Sequence, residues 1–230
     1  MPTSGHGPIS LVLEVITRLG PTSVLEVGTG YGKWGVLCRE YLGATARIEG
    51  IEGWPQYLGP LHAAVYTRVH VGDARTVLPT LSGPFDLVLL IDVFEHFTRE
   101  DGRKVLAECS RIGRAVLISV PATWKAQTAS CGNPFETHQA QYRASDFERL
   151  GFQLWRMADH LVALRAPVRL QLRGTFARWA AATLAPHLTG VLVSARDTAR
   201  AWYRQRRADS AGTVRRPSLA GPLQDRDGKD

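Results

Sequence analysis

Over the first 166 residues, short apolar runs alternate with stretches where apolar residues return every three or four positions. The runs Ser23 to Val27, Arg47 to Ile51, Thr67 to Val71, Phe85 to Ile91, Ala115 to Val120, Gln153 to Ala158 and Leu161 to Arg165 read as strands. Between them, Pro8 to Leu19, Tyr31 to Leu42, Pro55 to Ala64, Arg99 to Ile112 and Ser145 to Leu150 read as helices. This alternation predicts an α/β fold, a doubly wound, seven-stranded and mostly parallel sheet covered by helices on both faces. The run Asp86 to Ile91 lacks a period of two, as a central strand buried on both sides does. Only Asp159 and His160 separate the last two runs, too few for a crossover helix, so they should pair as an antiparallel edge hairpin.

Two segments break the regularity. Residues 121–142 hold two prolines, a glycine and polar residues around Trp124 and Phe135. A loop of that length in a compact domain points to function or disorder. Residues 167–207 are rich in Ala, Leu and Arg with a break at Pro186, and residues 208–230 are polar. The expected organisation is a domain over 1–166, a basic amphipathic helical extension over 167–207 and a disordered tail over 208–230.

Composition adds limits. The chain has 230 residues, 44% of them apolar, enough for one sizeable core. Its net charge of +7 lies wholly in residues 167–230, since acidic and basic residues balance over 1–166. The domain itself therefore has no compositional support for a nucleic-acid-binding face. Cys38, Cys109 and Cys131 form no CxxC pair, which predicts neither a disulfide framework nor a zinc knuckle and fits a cytoplasmic setting. No export signal and no membrane span are expected. In the extension, Leu188, Val191, Leu192, Ala195, Ala199 and Trp202 share one helical face beside Arg196, Arg200, Arg204 and Arg207. Such a face suits peripheral contact with an anionic membrane, or packing on the domain or a second subunit; the oligomeric state stays open.

Candidate chemistry begins at Val24 to Gly35, VLEVGTGYGKWG, where a strand breaks into a glycine turn and then a helix. A dinucleotide fingerprint has the spacing GxGxxG, with a third glycine under the pyrophosphate. Here the spacing is GxGxG, Lys33 stands at that third position, and Glu26 would repel a diphosphate. The turn suits a ligand with a cationic or amino end.

Glu26 to Gly32 resembles the first motif of the class I S-adenosylmethionine-dependent methyltransferases, and three later segments resemble that family in the same order. They are Ile-Glu-Gly-Ile-Glu52, Val-Gly-Asp73-Ala74, and Phe85 to His96. The resemblance covers roughly residues 20 to 166 and implies a Rossmann-like methyltransferase fold with S-adenosyl-L-methionine as cofactor. It implies that Gly28, Gly30 and Gly32 pass under the methionine moiety while Glu26 holds its ammonium. Glu52 would accept the ribose hydroxyls, Asp73 the adenine amine, and Ala74 would offer its N–H; Asp92 would border the transferred methyl. The segment Gly132 to His138, with Ser145-Asp-Phe and Leu150-Gly-Phe152, resembles a subgroup with a substrate loop before the final hairpin.

Plainer readings stand beside these. Asp73 can be a helix cap, Glu52 a strand-ending acid, and Trp34 and Trp54 packing residues. His96 and His138 are the two candidates for a base that takes a proton from an acceptor, or His96 simply braces a loop. No histidine trio has zinc spacing, so no metal is expected; a magnesium site from Asp92, Glu95 and a substrate diol is the alternative. The expected function is methyl transfer to a small-molecule acceptor, at oxygen, such as a metabolite, glycoside or quinone-type precursor. The rivals are a non-catalytic cofactor-binding or scaffold subunit and a dinucleotide oxidoreductase.

Overall fold

The computed structural model describes residues 4–130, 132–157 and 159–172. The predicted helical extension and tail lie outside these residues from position 173 onward, and residues 166–172 carry no helix or strand.

Helix α1, Ile9–Leu19, buries Leu11, Val12, Val15 and Ile16 and ends at Gly20, whose left-handed φ of 54° turns its N–H back to the Ile16 carbonyl. Strand β1 is Ser23–Val27 and helix α2 is Lys33–Leu42. Strand β2 is Arg47–Glu52, and β3 is Arg68–Val71. The predicted helix Pro55 to Ala64 is two pieces, a 3-10 turn at Pro55–Tyr57 and α3 at Pro60–Val65. Pro60 explains the break, because a proline pushes the residue before it out of the helical region, and Gly59 is fully extended there. A short α4, Ala74–Val77, follows β3, too brief to leave a periodic signature.

Strand β4, Phe85–Ile91, is buried at every position except Asp86. Asp86 staples the lower ends of β1 and β4 by accepting from the backbone and hydroxyl groups of Thr22 and Ser23. Helix α5, Arg99–Ile112, is capped by Thr98 and buries Gly102, Val105, Leu106, Cys109 and Ile112 along one stripe. Strand β5 is Gly113–Pro121. Helix α6, Ala144–Glu148, leads to β6, Gln153–Met157, and β7, His160–Arg165.

The seven strands lie in the order β3-β2-β1-β4-β5-β7-β6. The first five are parallel, and β7 runs antiparallel to both β5 and β6, as a short connection predicts, although His160 belongs to β7 and not to the turn. Chain direction across the sheet reverses between β1 and β4, so a crevice forms beyond their carboxyl ends. Among the described residues no helix is long and apolar enough to cross a membrane.

Candidate active site

That crevice is an open cleft of about 730 Å³, and every candidate cofactor-binding or catalytic residue read from the sequence except Gly32 lines it. At one end, the backbone of Gly28 follows β1 with φ 77° and donates to the Ile51 carbonyl. A Cβ on Gly28 would lie 2.5 Å from Val93 Cγ2, so both conformation and close approach demand glycine. Gly30 also has positive φ, and Gly32, at φ 86°, caps α2.

Glu52 is buried at the end of β2 and braces this turn. One carboxylate oxygen accepts from the Gly30 N–H at 2.8 Å and the Thr29 hydroxyl at 3.1 Å, and the other accepts from the Trp54 N–H at 2.8 Å. A carboxylate offers about four acceptor positions, so one remains for a ligand. Burial nonetheless raises its pKa against these bonds.

Glu26 is buried on β1, and Tyr66 donates its hydroxyl to it at 2.5 Å. Burial pushes the Glu26 carboxyl up to about 8, with the Tyr66 bond acting against it and nearby Glu52 adding to it. A Cβ on Gly35 would collide with the Tyr66 ring, so the last glycine of the quoted stretch serves this contact.

Asp73 adopts the capping role: it is the N-cap of α4, accepting from Arg75 N–H at 2.8 Å. It also pairs with the Arg75 guanidinium, which in turn reaches Asp101 at 3.0 Å. Burial raises the Asp73 carboxyl but the Arg75 bonds outweigh it, leaving the group below its ordinary pKa. Ala74 begins α4, where N–H groups have no acceptor within the helix.

Asp92 has φ 54°, a strained value for a non-glycine residue. Its carboxylate accepts from Gly5 N–H at 2.8 Å and Ser119 Oγ at 3.2 Å, and His160 Nε2 faces it at 3.3 Å. His160 Nδ1 meets Asp159 at 2.6 Å, and Lys125 meets that acid at 2.7 Å. The Asp92 bond, opposed by burial and aided by Asp159, raises the His160 pKa. The segment at Ser4 and Gly5 thus forms part of the cleft wall. The Trp34 indole donates to Ser4 Oγ at 3.0 Å and Lys33 donates to the Ser4 carbonyl. Sequence reasoning missed this wall and His160, because nothing local ties residues 4, 92 and 160 together.

The opposite end holds Glu95, His96 and His138. His96 belongs to the 3-10 turn Phe94–His96 beyond β4. The 121–142 loop returns over this turn, with the N–H groups of Gln139 and Ala140 donating to the Glu95 carbonyl at 2.8 and 3.2 Å. Tyr142 secures it with hydroxyl bonds to the Phe97 and Thr98 carbonyls. His96 Nδ1 donates to the Thr137 carbonyl at 3.2 Å and His138 Nδ1 to the Lys125 carbonyl at 2.6 Å. The two rings stand edge to face with centroids 4.9 Å apart. Burial lowers the His96 pKa, favouring the neutral ring. The Glu95 side chain is buried, its Oε2 lacks a hydrogen-bond partner, and burial with Asp92 nearby raises its pKa well above the usual range.

A family described as methyltransferase domain matches residues 24–115, from β1 into β5. No curated protein sequence matches the chain. Among solved structures, the N-terminal domain of EvdMO1 with SAH bound aligns with a TM-score of 0.52 and 18% identity over 70% of this chain and 80% of that one. The same domain in the presence of SAH and D-fucose gives 0.51 and 17%, covering 70% and 82%. PigF with SAH gives 0.51 and 14%, covering 67% of this chain and 54% of that one. The family match over residues 24–115, the strand order and the glycine turn agree with one another, and the solved structures that align share the fold of a methyltransferase domain.

Proposed function

We propose that this protein transfers a methyl group from S-adenosyl-L-methionine to a hydroxyl of a small molecule. The observation that carries the reading is that one cleft joins the glycine turn, with Glu26 and Glu52, to the imidazole pair His96 and His138. The residues present fit the cofactor. Among the described residues no cationic side chain is bonded to the buried Glu26, Glu52 keeps acceptor capacity, and Ala74 opens a helix beside Asp73. When bound, the cofactor supplies an activated methyl on a positively charged sulfur.

The protein's own contribution is alignment and charge. Holding the acceptor in line is worth most, because the leaving group is already good. Glu26 neutralises an ammonium, Glu52 fixes the ribose, and Asp92 with the Ser4–Gly5 wall limits the space beside the reacting atoms. The His96 ring, held neutral by burial, or the His138 ring beside it takes up the acceptor's proton, an effect of roughly 10²- to 10⁴-fold. A glycoside-like acceptor is supported by the EvdMO1 likeness in the presence of D-fucose.

Incubating the full chain with methyl-labelled cofactor and fractionated small-molecule extract tests the reading; the label should enter a compound as an ether. Cofactor binding without any transfer would favour the scaffold alternative, and a thermal shift with NAD alone would overturn the family's usual chemistry here. Separate His96→Ala and His138→Ala substitutions should each lower kcat; unchanged kcat in both would remove the imidazoles from the mechanism.

A further inference from the structure

Among the described residues Glu95 Oε2 is buried without a hydrogen-bond partner, an arrangement that costs stability unless a proton or a cation completes it. Its neighbours are the two imidazoles. One donor atom from each of Glu95, His96 and His138 lies within 4.8 Å of the other two. Both rings spend Nδ1 on a backbone carbonyl, the bond that orients a metal-ligating histidine and leaves Nε2 to bind. Asp92 and Glu136 add negative potential around Glu95.

We infer that Glu95, His96 and His138 form a divalent-metal site at the acceptor end of the cleft, with its open face toward the substrate hydroxyl. Two imidazoles and one carboxylate select a borderline first-row ion, Mn²⁺ through Zn²⁺, over Mg²⁺ or Ca²⁺. Ligands about 2.0–2.2 Å from an ion stand roughly 3–3.5 Å from each other, so the loop carrying His138 closes by about 1–2 Å to complete the set. His138 is only partly buried, which permits that movement.

The site deepens the proposed methyl transfer and rests on it for its role. Bound next to the ion, the acceptor O–H loses its proton to water in the cleft at lower cost. The oxygen lone pair then forms the bond to the methyl carbon while the carbon–sulfur pair leaves with sulfur. An imidazole Nε2 that ligates the ion cannot also accept that proton, so in the ion-bound protein the ion and water take over the role a free imidazole has in the ion-free one.

The test uses the full chain freed of metal by a chelator and titrated with Mn²⁺, followed by electron paramagnetic resonance, and with Zn²⁺ by competition against a chromophoric chelator. One ion should bind per chain, and Glu95→Gln and His138→Ala should each weaken it by on the order of 10- to 100-fold. S-adenosylhomocysteine affinity should match the unsubstituted protein in both variants, which excludes misfolding. Equal ion affinity in His138→Ala, or no binding below about 1 mM, would overturn the site. Absence of S-adenosylhomocysteine binding would instead overturn the methyl-transfer reading, while the ion titration keeps its own outcome.

Discussion

Gly28 is where sequence and structure agree at the scale of one residue. The turn needs φ 77° there, and Val93 occupies the space of a side chain. Gly28→Ala forces a left-handed alanine and displaces Val93, a strain of about 1–3 kcal/mol. S-adenosylhomocysteine affinity should fall by about tenfold or more, with a lower thermal midpoint, by calorimetry of both. Such a residue is legible because its constraint is local: a strand, a turn and a helix start fall within a dozen positions. Glu52 and Glu26 were legible for the same reason, each ending or interrupting an apolar run. The partners they acquire were not. Tyr66 on Glu26, and His138 beside Glu95, arrive through the crossing of distant segments, which spacing cannot reveal.

Among elements, the 121–142 loop decides what reaches the acceptor end. Its length marked it in the sequence, yet its fixing points are backbone carbonyls, which carry no residue signature. The Tyr142 hydroxyl shares its one proton between two of those carbonyls, Phe97 and Thr98, and its ring packs on Phe94 with centroids 4.5 Å apart. Tyr142→Phe keeps the ring and removes only the bonds, a cost of about 1 kcal/mol, or about 2–4 °C in thermal midpoint. If the loop positions His138, kcat should fall while S-adenosylhomocysteine affinity is unchanged; an unchanged kcat would separate the loop from catalysis. Helix and strand placement followed the periodic pattern closely, with α5 and β4 as expected from end to end. Pro60 is the exception, where a local backbone rule overrode a helical pattern.

Across the whole molecule, the cleft collects buried acids that prefer to hold their protons. Glu26 is raised to about 8, Glu52 and Glu95 are raised, and His160 is raised by Asp92. Raised groups contribute stability that is fully present below their unfolded pKa, about 4.3 for Glu and 6.5 for His, and is lost as pH climbs through the folded value. Asp73, Asp86 and Asp159 are lowered, so their contribution is complete well before neutrality. His96 is lowered too, and gains stability only up to about pH 6.5. Lys33, also lowered, opposes the trend only once pH passes its folded value. Between about pH 6.5 and 8 the ligand-free protein should therefore lose stability, with Glu26, Glu95 and His160 contributing to the slope. A ligand ammonium at Glu26 reverses this, because the ionised carboxylate then has a partner. Saturating S-adenosylhomocysteine should raise the thermal midpoint more at pH 8 than at pH 6.5, and Glu26→Gln should flatten that difference. A ligand-induced shift independent of pH in the unsubstituted protein would place the ammonium away from Glu26 and return that acid to a purely structural pairing with Tyr66.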